Sequence, residues 1–338
     1  MKNFRRIAAL VVALVMVLAF AACGKETTNG DDKPVAGKVY KIGVIQLMEH
    51  DALDAAYNGF KDTLNAEYPG QFDITLQNAQ GEQANCVTIA NNFVANNYDL
   101  ILAIATPAAQ AAKQATGEIP ILVTAVTDPA DAGLVDSNEV PGGNLSGTSD
   151  LNPIAQQANL LLQLAPEVKT VGVLYNSGED NSVFQYELAK EALEALGIEV
   201  QAYTVADSSQ IQTVCQSAVG KIDAAYIGTD NLLASSMPIV SQVLTPAGIP
   251  VICGEANMVN NGGTATYGLN YYTLGQKTAA QAIDVLLNGA DISNMPIGYC
   301  SESELDLTIN AEIIDKLGIT LPAELQAVVD AATEAVTE

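Results

Sequence analysis

The chain has no tryptophan, a single histidine, and only 14 Lys and Arg against 39 Asp and Glu. Each shortage removes a class of function. With so few cations there is no basic patch to hold phosphates, so nucleic acid is excluded as a partner. The one histidine, His50, has no serine or cysteine nucleophile at a recognisable spacing, which suits a rim residue better than a general base. GxSxG elbow, P-loop and metal cage are all lacking, and no catalytic residue is assigned. Cysteines are sparse as well. Beyond Cys23 there are Cys86, Cys215, Cys253 and Cys300, widely spaced and without a CxxC pair, which argues against a zinc site. Each suits a small buried hydrophobe, and whether any two pair stays open at this level. No metal and no cofactor is expected.

One long apolar run is present. Lys2, Arg5 and Arg6 precede an unbroken apolar stretch from Ile7 to Ala22 that stops at Cys23. It is short for a membrane span and ends at Gly24-Lys25-Glu26, so residues 1–22 read as an export signal. Phe20-Ala21-Ala22-Cys23 resembles a bacterial lipobox, whose cysteine is lipidated and becomes the mature N-terminus. Residues 23–38, with Thr27, Thr28, Asn29, Gly30, Asp31, Asp32 and Pro34, are too polar to fold and read as a tether. Loss of the leader removes three of the 14 basic residues and none of the 39 acidic ones, leaving a formal charge of −28. Scattered surface carboxylates that keep an exported protein soluble account for that charge without a cationic ligand.

The remaining residues, about 300, are enough for two domains of ordinary size. They alternate strand and helix periodicities. Strand-like runs fall at Val39 to Ile45, Phe72 to Leu76, Leu100 to Ala105, Ile119 to Thr124, Thr170 to Tyr175, Glu199 to Thr204, Ala224 to Ile227, Val251 to Cys253 and Thr264 to Leu269, with helical patterns between most of them. This alternation predicts an α/β fold of doubly wound parallel sheets covered by helices on both faces. The stretch Val140 to Asp150 is too rich in Gly and Pro for an element interior and reads as the approach to an interlobe crossing. A helix from Leu274 to Asn288, closed by Gly289, is expected to pack back on the first lobe. The division is then 39–149 plus 270–296 for lobe 1 and 150–269 plus 297–338 for lobe 2.

In open parallel sheets ligands sit beyond the carboxyl ends of the strands, and the residues there are polar in this chain. After the first strand come Gln46, His50, Asp51, Ala52 and Asp54, the two aspartates equally suited to capping the next helix. Thr106 and Pro107 read as the N-cap and first residue of a helix whose free N–H groups would hold a carboxylate. Thr127 and Asp128 repeat the arrangement one strand later. The second half supplies Ser177, Glu179, Asn181 and Ser182, then Asp230 and Asn231, then Glu255. Asp230 suits either a ligand ammonium or a turn. Leu47, Met48, Ala52, Tyr267, Tyr271 and Tyr272 offer apolar wall, and no Arg or Lys lies in these motifs, so an apolar side chain is favoured over an acidic one.

Jointly, Gly43-Val44-Ile45-Gln46 with His50-Asp51-Ala52-Leu53-Asp54, Ala105-Thr106-Pro107-Ala108-Ala109-Gln110, Val126-Thr127-Asp128-Pro129, Asn176-Ser177-Gly178-Glu179-Asp180-Asn181-Ser182 and Thr229-Asp230-Asn231 resemble the lipid-anchored substrate-binding proteins of ABC importers, in the branch that includes tryptophan and other aromatic amino-acid binders. The resemblance runs from Tyr40 to about Pro322. It implies a type I periplasmic-binding-protein-like fold with two lobes joined by a hinge, and a small amino acid held between them. It also implies that Thr106, Thr127, Ser177, Glu179, Asn181, Ser182 and Asp230 line that site. The expected partners are an ABC permease and ATPase, with the membrane reached through lipid on Cys23 at the outer face of the cytoplasmic membrane. Gly178-Glu179-Asp180 departs from the small residues often seen around that glutamate, and no Trp is available for stacking. An enzyme on the same fold lacks a recognisable catalytic constellation here, and a sensory protein would need a transmembrane helix and a signalling module.

Overall fold

The computed structural model describes residues 37–337, so the expected export signal, Cys23 and nearly all of the tether lie outside the described residues. Lobe 1 begins with β1 (Tyr40–Gln46), α1 (Asp51–Glu67), β2 (Phe72–Asn78), α2 (Gln83–Ala95), β3 (Leu100–Ile104), α3 (Thr106–Ala115), β4 (Ile121–Val126) and β5 (Leu145–Ser149). Its five strands pair in the order β2-β1-β3-β4-β5, all parallel. The central β3 and β4 are buried at every position, as continuous apolar strands covered on both faces must be. Helix α1 buries Ala52, Leu53, Ala56, Phe60 and Leu64, the stripe that a helical period sets against a sheet.

Lobe 2 follows with α4 (Ile154–Leu164), β6 (Thr170–Asn176), α5 (Asp180–Ala195), β7 (Glu199–Val205), α6 (Ile211–Ala218), β8 (Ala224–Ile227), α7 (Asn231–Ala234), α8 (Met237–Leu244), β9 (Val251–Cys253), α9 (Ala256–Asn260) and β10 (Ala265–Leu269). Helix α10 (Tyr271–Leu286) returns to lobe 1, after which β11 (Leu305–Ile309), α11 (Ala311–Leu317) and α12 (Ala323–Thr337) end the described chain. The second sheet runs β11-β10-β9-β8-β6-β7, with only β10 and β11 antiparallel. Alternate residues of its strands enter different cores: Val171, Val173, Ala224 and Tyr226 pack on one face, Leu174, Ala225 and Ile227 on the other.

The return of α10 depends on two glycines. A Cβ on Gly275 would lie 2.0 Å from the Ala56 carbonyl oxygen, and one on Gly59 would lie 2.0 Å from that of Tyr272. Helices α1 and α10 therefore approach backbone to backbone, which only hydrogen at these positions allows.

Two strands were not anticipated from the sequence. Residues Leu145–Ser149, inside the Gly- and Pro-rich stretch read as a linker, form the edge strand β5. Gly147 sits there at φ +145°, where a Cβ would lie 2.1 Å from the Val123 carbonyl oxygen, so the glycine that argued against a strand is what lets this one pair. The other is β11, whose half-buried pattern is weak by itself and is stabilised by pairing with β10. The expected Thr106 cap is also shifted. Ala105 is the N-cap, at φ 83°, and Thr106 falls inside the first turn. Among the described residues Cys86, Cys215, Cys253 and Cys300 form no disulfide, and the first three are buried.

Candidate ligand-binding site

The carboxyl ends of both sheets face each other across a cleft, where the two lobes enclose a small, tightly closed cavity. Lobe 1 contributes His50, Ala52 and Leu53 from the start of α1 and Ala125 and Thr127 from the end of β4. Lobe 2 contributes Asn181 at the start of α5, Thr229, Asp230, Asn231 and Ala234 after β8, and Glu255 after β9. Asp150, directly after β5, and Tyr271, the first residue of α10, come from the two chain segments that pass between the lobes. A wider hollow lies outside lobe 1 between α1 and α10, but it is open to solvent and its Lys277 already pairs with Glu304 at 2.9 Å.

Of the residues expected from sequence, the cavity brings together His50, Ala52, Thr127, Asn181, Asp230, Asn231 and Glu255, with Tyr271 from the apolar set. Asp51 lies at the mouth, where its Oδ2 accepts from Asn261 Nδ2 at 2.9 Å. Gln46 is turned to Met48 O and Asp54 Oδ1, at 2.9 and 2.5 Å. Thr106 is buried in the first turn of α3, and the Pro107 carbonyl accepts from Gln83 Nε2 at 3.2 Å. Asp128 accepts from the Ala130 and Asp131 amides and from Asn138 Nδ2, which makes it a turn residue. Ser177 is exposed. Glu179 and Ser182 are buried directly behind the cavity wall. Asp150, Ala125 and Ala234 carried no signal in the sequence reading. Asp150 follows a strand that was not recognised, so it was never placed at a strand end.

Among the described residues, three carboxylates and no Lys or Arg line this cavity. Most of their oxygens are occupied. Asp230 accepts from the Leu233 amide at 2.8 Å, capping α7, and from the Asn176 amide at 2.6 Å. Glu255 accepts from the Asn257 and Met258 amides at 2.7 and 2.8 Å, capping α9. Behind them, Glu179 collects the amides of Asn176, Asn181 and Asn231. Asp150 differs: its Oδ2 accepts from the Tyr271 hydroxyl at 2.6 Å, while its Oδ1 is buried without a hydrogen-bond partner among the described residues, as is Asn181 Oδ1. An unpaired carboxylate oxygen in a dry site costs far more than a paired one, so these two acceptors mark where a donor belongs.

Burial sets the electrostatics. It raises the Asp150 carboxyl to about 6, against smaller opposing effects of the Tyr271 phenol and the nearby Thr127. Glu179 rises to about 7 through burial and then the Asp230 charge, and Glu255 to about 7 through burial, opposed by its capping amides. Desolvation lowers His50, leaving its imidazole neutral near pH 7. The donors available to an anion are the first-turn N–H groups of α1, which have no intrahelical acceptor and which the N-cap His50 does not cap with its side chain.

Direct bonds link the lobes around the cavity. Gln185 Nε2 donates to Thr127 Oγ1 at 3.2 Å, Gln110 Nε2 to Asp180 Oδ2 at 2.7 Å, and His50 Nε2 lies 3.3 Å from Asn231 Oδ1. Together with Asn261 to Asp51 they close the cleft on several sides. Ala125, in the wall, has φ 55°, and Ala105 nearby has φ 83°, left-handed geometry that costs energy outside glycine and gathers at functional strand ends.

The sequence profile of the ABC transporter substrate-binding protein family matches residues 41–334. A tyrosine-binding protein of Clostridioides difficile (strain R20291) is 40% identical over 309 residues, 89% of each chain. Among solved structures, an ABC domain in complex with L-Trp from Streptococcus pneumoniae superposes with TM-score 0.82 at 36% identity, covering 86% of this chain and 98% of the other. The ligand-free, open structure of a substrate binding protein with adhesive properties from Clostridium difficile gives TM-score 0.66 at 44% identity, covering 84% and 97%.

Proposed function

The chain belongs to the ABC transporter substrate-binding protein family, and on that premise we propose that its interlobe cavity takes one aromatic amino acid, tyrosine or tryptophan. The observation that carries this reading is Asp150 Oδ1, a buried carboxylate oxygen that, among the described residues, has no partner and shares its cavity with no Lys or Arg. An ammonium group supplies the missing donor and the missing positive charge together. The ligand carboxylate goes to the start of α1, whose residues Ala52 and Leu53 line the same cavity. The apolar side chains of Ala52, Leu53, Ala125 and Ala234 give a ring an apolar wall once the lobes part to admit it, and burial of a ring contributes on the order of a few kcal/mol. The relatives named as binding L-Trp and tyrosine support the aromatic choice. In shape the chain follows the L-Trp complex more closely than the open, ligand-free relative, although its sequence is nearer the latter, which fits a closed arrangement of the lobes.

In this reading the protein delivers its ligand to the permease and ATPase of an ABC importer, working outside the cytoplasm and tethered by lipid on Cys23. A thermal-shift panel on the purified protein tests the ligand class. L-tyrosine, L-tryptophan and L-phenylalanine are expected to raise the melting temperature above the effect of aspartate, glutamate, leucine or a hexose. A larger shift with any of those competitors rejects the aromatic assignment. Radiolabelled palmitate incorporated into the wild type and not into Cys23→Ser tests the anchor.

A further inference from the structure

Two of the segments that cross between the lobes meet inside the cavity wall. Asp150 begins the crossing from β5 to α4, and Tyr271 ends the crossing from β10 to α10. The Tyr271 hydroxyl donates to Asp150 Oδ2 at 2.6 Å, both side chains being almost fully buried, at 3% and 4% exposure. A second tie, from the Leu269 amide to Asn152 Oδ1 at 3.0 Å, joins the same two segments one step further along. A third segment lies beside them, with the Ser149 amide donating to Gly298 O at 2.8 Å. A carboxylate that is tied on one oxygen and open on the other has its orientation fixed, and here that carboxylate belongs to a residue lining the cavity.

We propose that Tyr271 is a positioning residue, holding the Asp150 carboxylate across the hinge so that its free oxygen captures the ligand ammonium at the hinge itself. The inference rests on the amino-acid reading above and goes beyond it in assigning what aims the carboxylate. Recognition at a hinge residue couples binding to lobe closure, because the contact that satisfies Asp150 forms where the lobes rotate.

The titratable groups facing Asp150 are Tyr271 on α10, Glu255 after β9, Asp230 after β8 and His50 before α1, with Cys300 on the third crossing behind it. Protons compete with the ammonium for Asp150, so affinity falls as pH drops through the value at which its carboxyl titrates. The phenol holds that value down. Its removal raises the value while leaving the other groups in place, and the midpoint of the affinity loss moves to higher pH.

The test is calorimetric titration of L-tyrosine and L-tryptophan between pH 5 and pH 8 into wild type, Tyr271→Phe and Asp150→Asn, each checked for folding by circular dichroism. Tyr271→Phe is expected to bind about tenfold more weakly at neutral pH, with its midpoint shifted upward. Asp150→Asn should lose most of the affinity, together with this component of the pH profile. If the wild type binds and Tyr271→Phe matches it in affinity and midpoint, the positioning role is rejected. A variant that only melts earlier, with an unmoved midpoint, rejects it too. If the wild type binds neither amino acid, the ligand reading itself fails, and this inference with it.

Discussion

Two aspartates in one cavity have different work because their oxygens have different partners. Asp230 spends both on backbone amides, so Asp230→Ala is expected to lower stability by about 1–3 kcal/mol, read as an earlier melting transition, whatever it does to affinity. Asp150 keeps one oxygen free, so Asp150→Asn is expected to cost about 2–3 kcal/mol of ligand affinity with little loss of melting temperature. The neutral amide also removes a buried charge, which offsets part of the stability lost with the phenol contact. Equal affinities for Asp150→Asn and wild type would place the ammonium elsewhere in the cavity. Both residues follow strands, and the sequence pattern allowed for Asp230 as ligand contact or turn. Which role applies depends on where the Asn176 amide lies, 54 residues away in sequence, and no local pattern reports that.

At the scale of elements, the parallel strands were readable because buried strands are continuous apolar runs: Leu100–Ile104 and Ile121–Val126 stand out in the sequence. Leu145–Ser149 did not, since Leu-Ser-Gly-Thr-Ser has one apolar side chain and takes its order from β4. With that strand unread, Asp150 was unread as well, so the loss at the element carried into the site. The packing of α10 on α1 was legible only as an expectation of which lobe the helix joins. The close approach at Gly59 and Gly275 is a three-dimensional fact. Gly275→Ala puts a methyl against the Ala56 carbonyl and is expected to destabilise the protein by about 1–3 kcal/mol or more through overpacking. Chemical denaturation of that variant against Gly289→Ala, whose Cβ meets nothing within 4 Å but whose φ is +71°, separates the two causes. Gly275 sits inside α10 without a positive φ, so backbone strain alone predicts a loss at Gly289 only, whereas overpacking predicts a larger loss at Gly275.

For the whole molecule, the buried acids tie stability to pH. Asp150, Glu179 and Glu255 are raised to about 6, 7 and 7, while the unfolded chain titrates near the ordinary carboxylate range of about 4. Between those limits the folded state holds more protons than the unfolded one, so its stability falls as pH rises from about 4 to 7. Ligand-free protein is therefore expected to melt at a higher temperature at pH 5 than at pH 7.5, and a bound ammonium should narrow the gap by stabilising charged Asp150. A melting temperature that climbs steadily over the same interval would contradict this assignment of the buried acids. The bonds across the cleft, Gln185 to Thr127 and Asn261 to Asp51 among them, belong to a closed arrangement. Small-angle scattering is expected to give a smaller radius of gyration with L-tyrosine than without it.

The central claim is that a free carboxylate oxygen at Asp150 reads the amino group of an aromatic amino acid enclosed between two lobes. Calorimetry with L-tyrosine and with 3-(4-hydroxyphenyl)propionate, the same molecule without its amino group, tests it most directly. The predicted result is clear binding of L-tyrosine and at least hundredfold weaker binding of the deaminated analogue, the loss expected for a buried charge-assisted contact, with that discrimination largely gone in Asp150→Asn. Equal affinities of the wild type for the two compounds would contradict it.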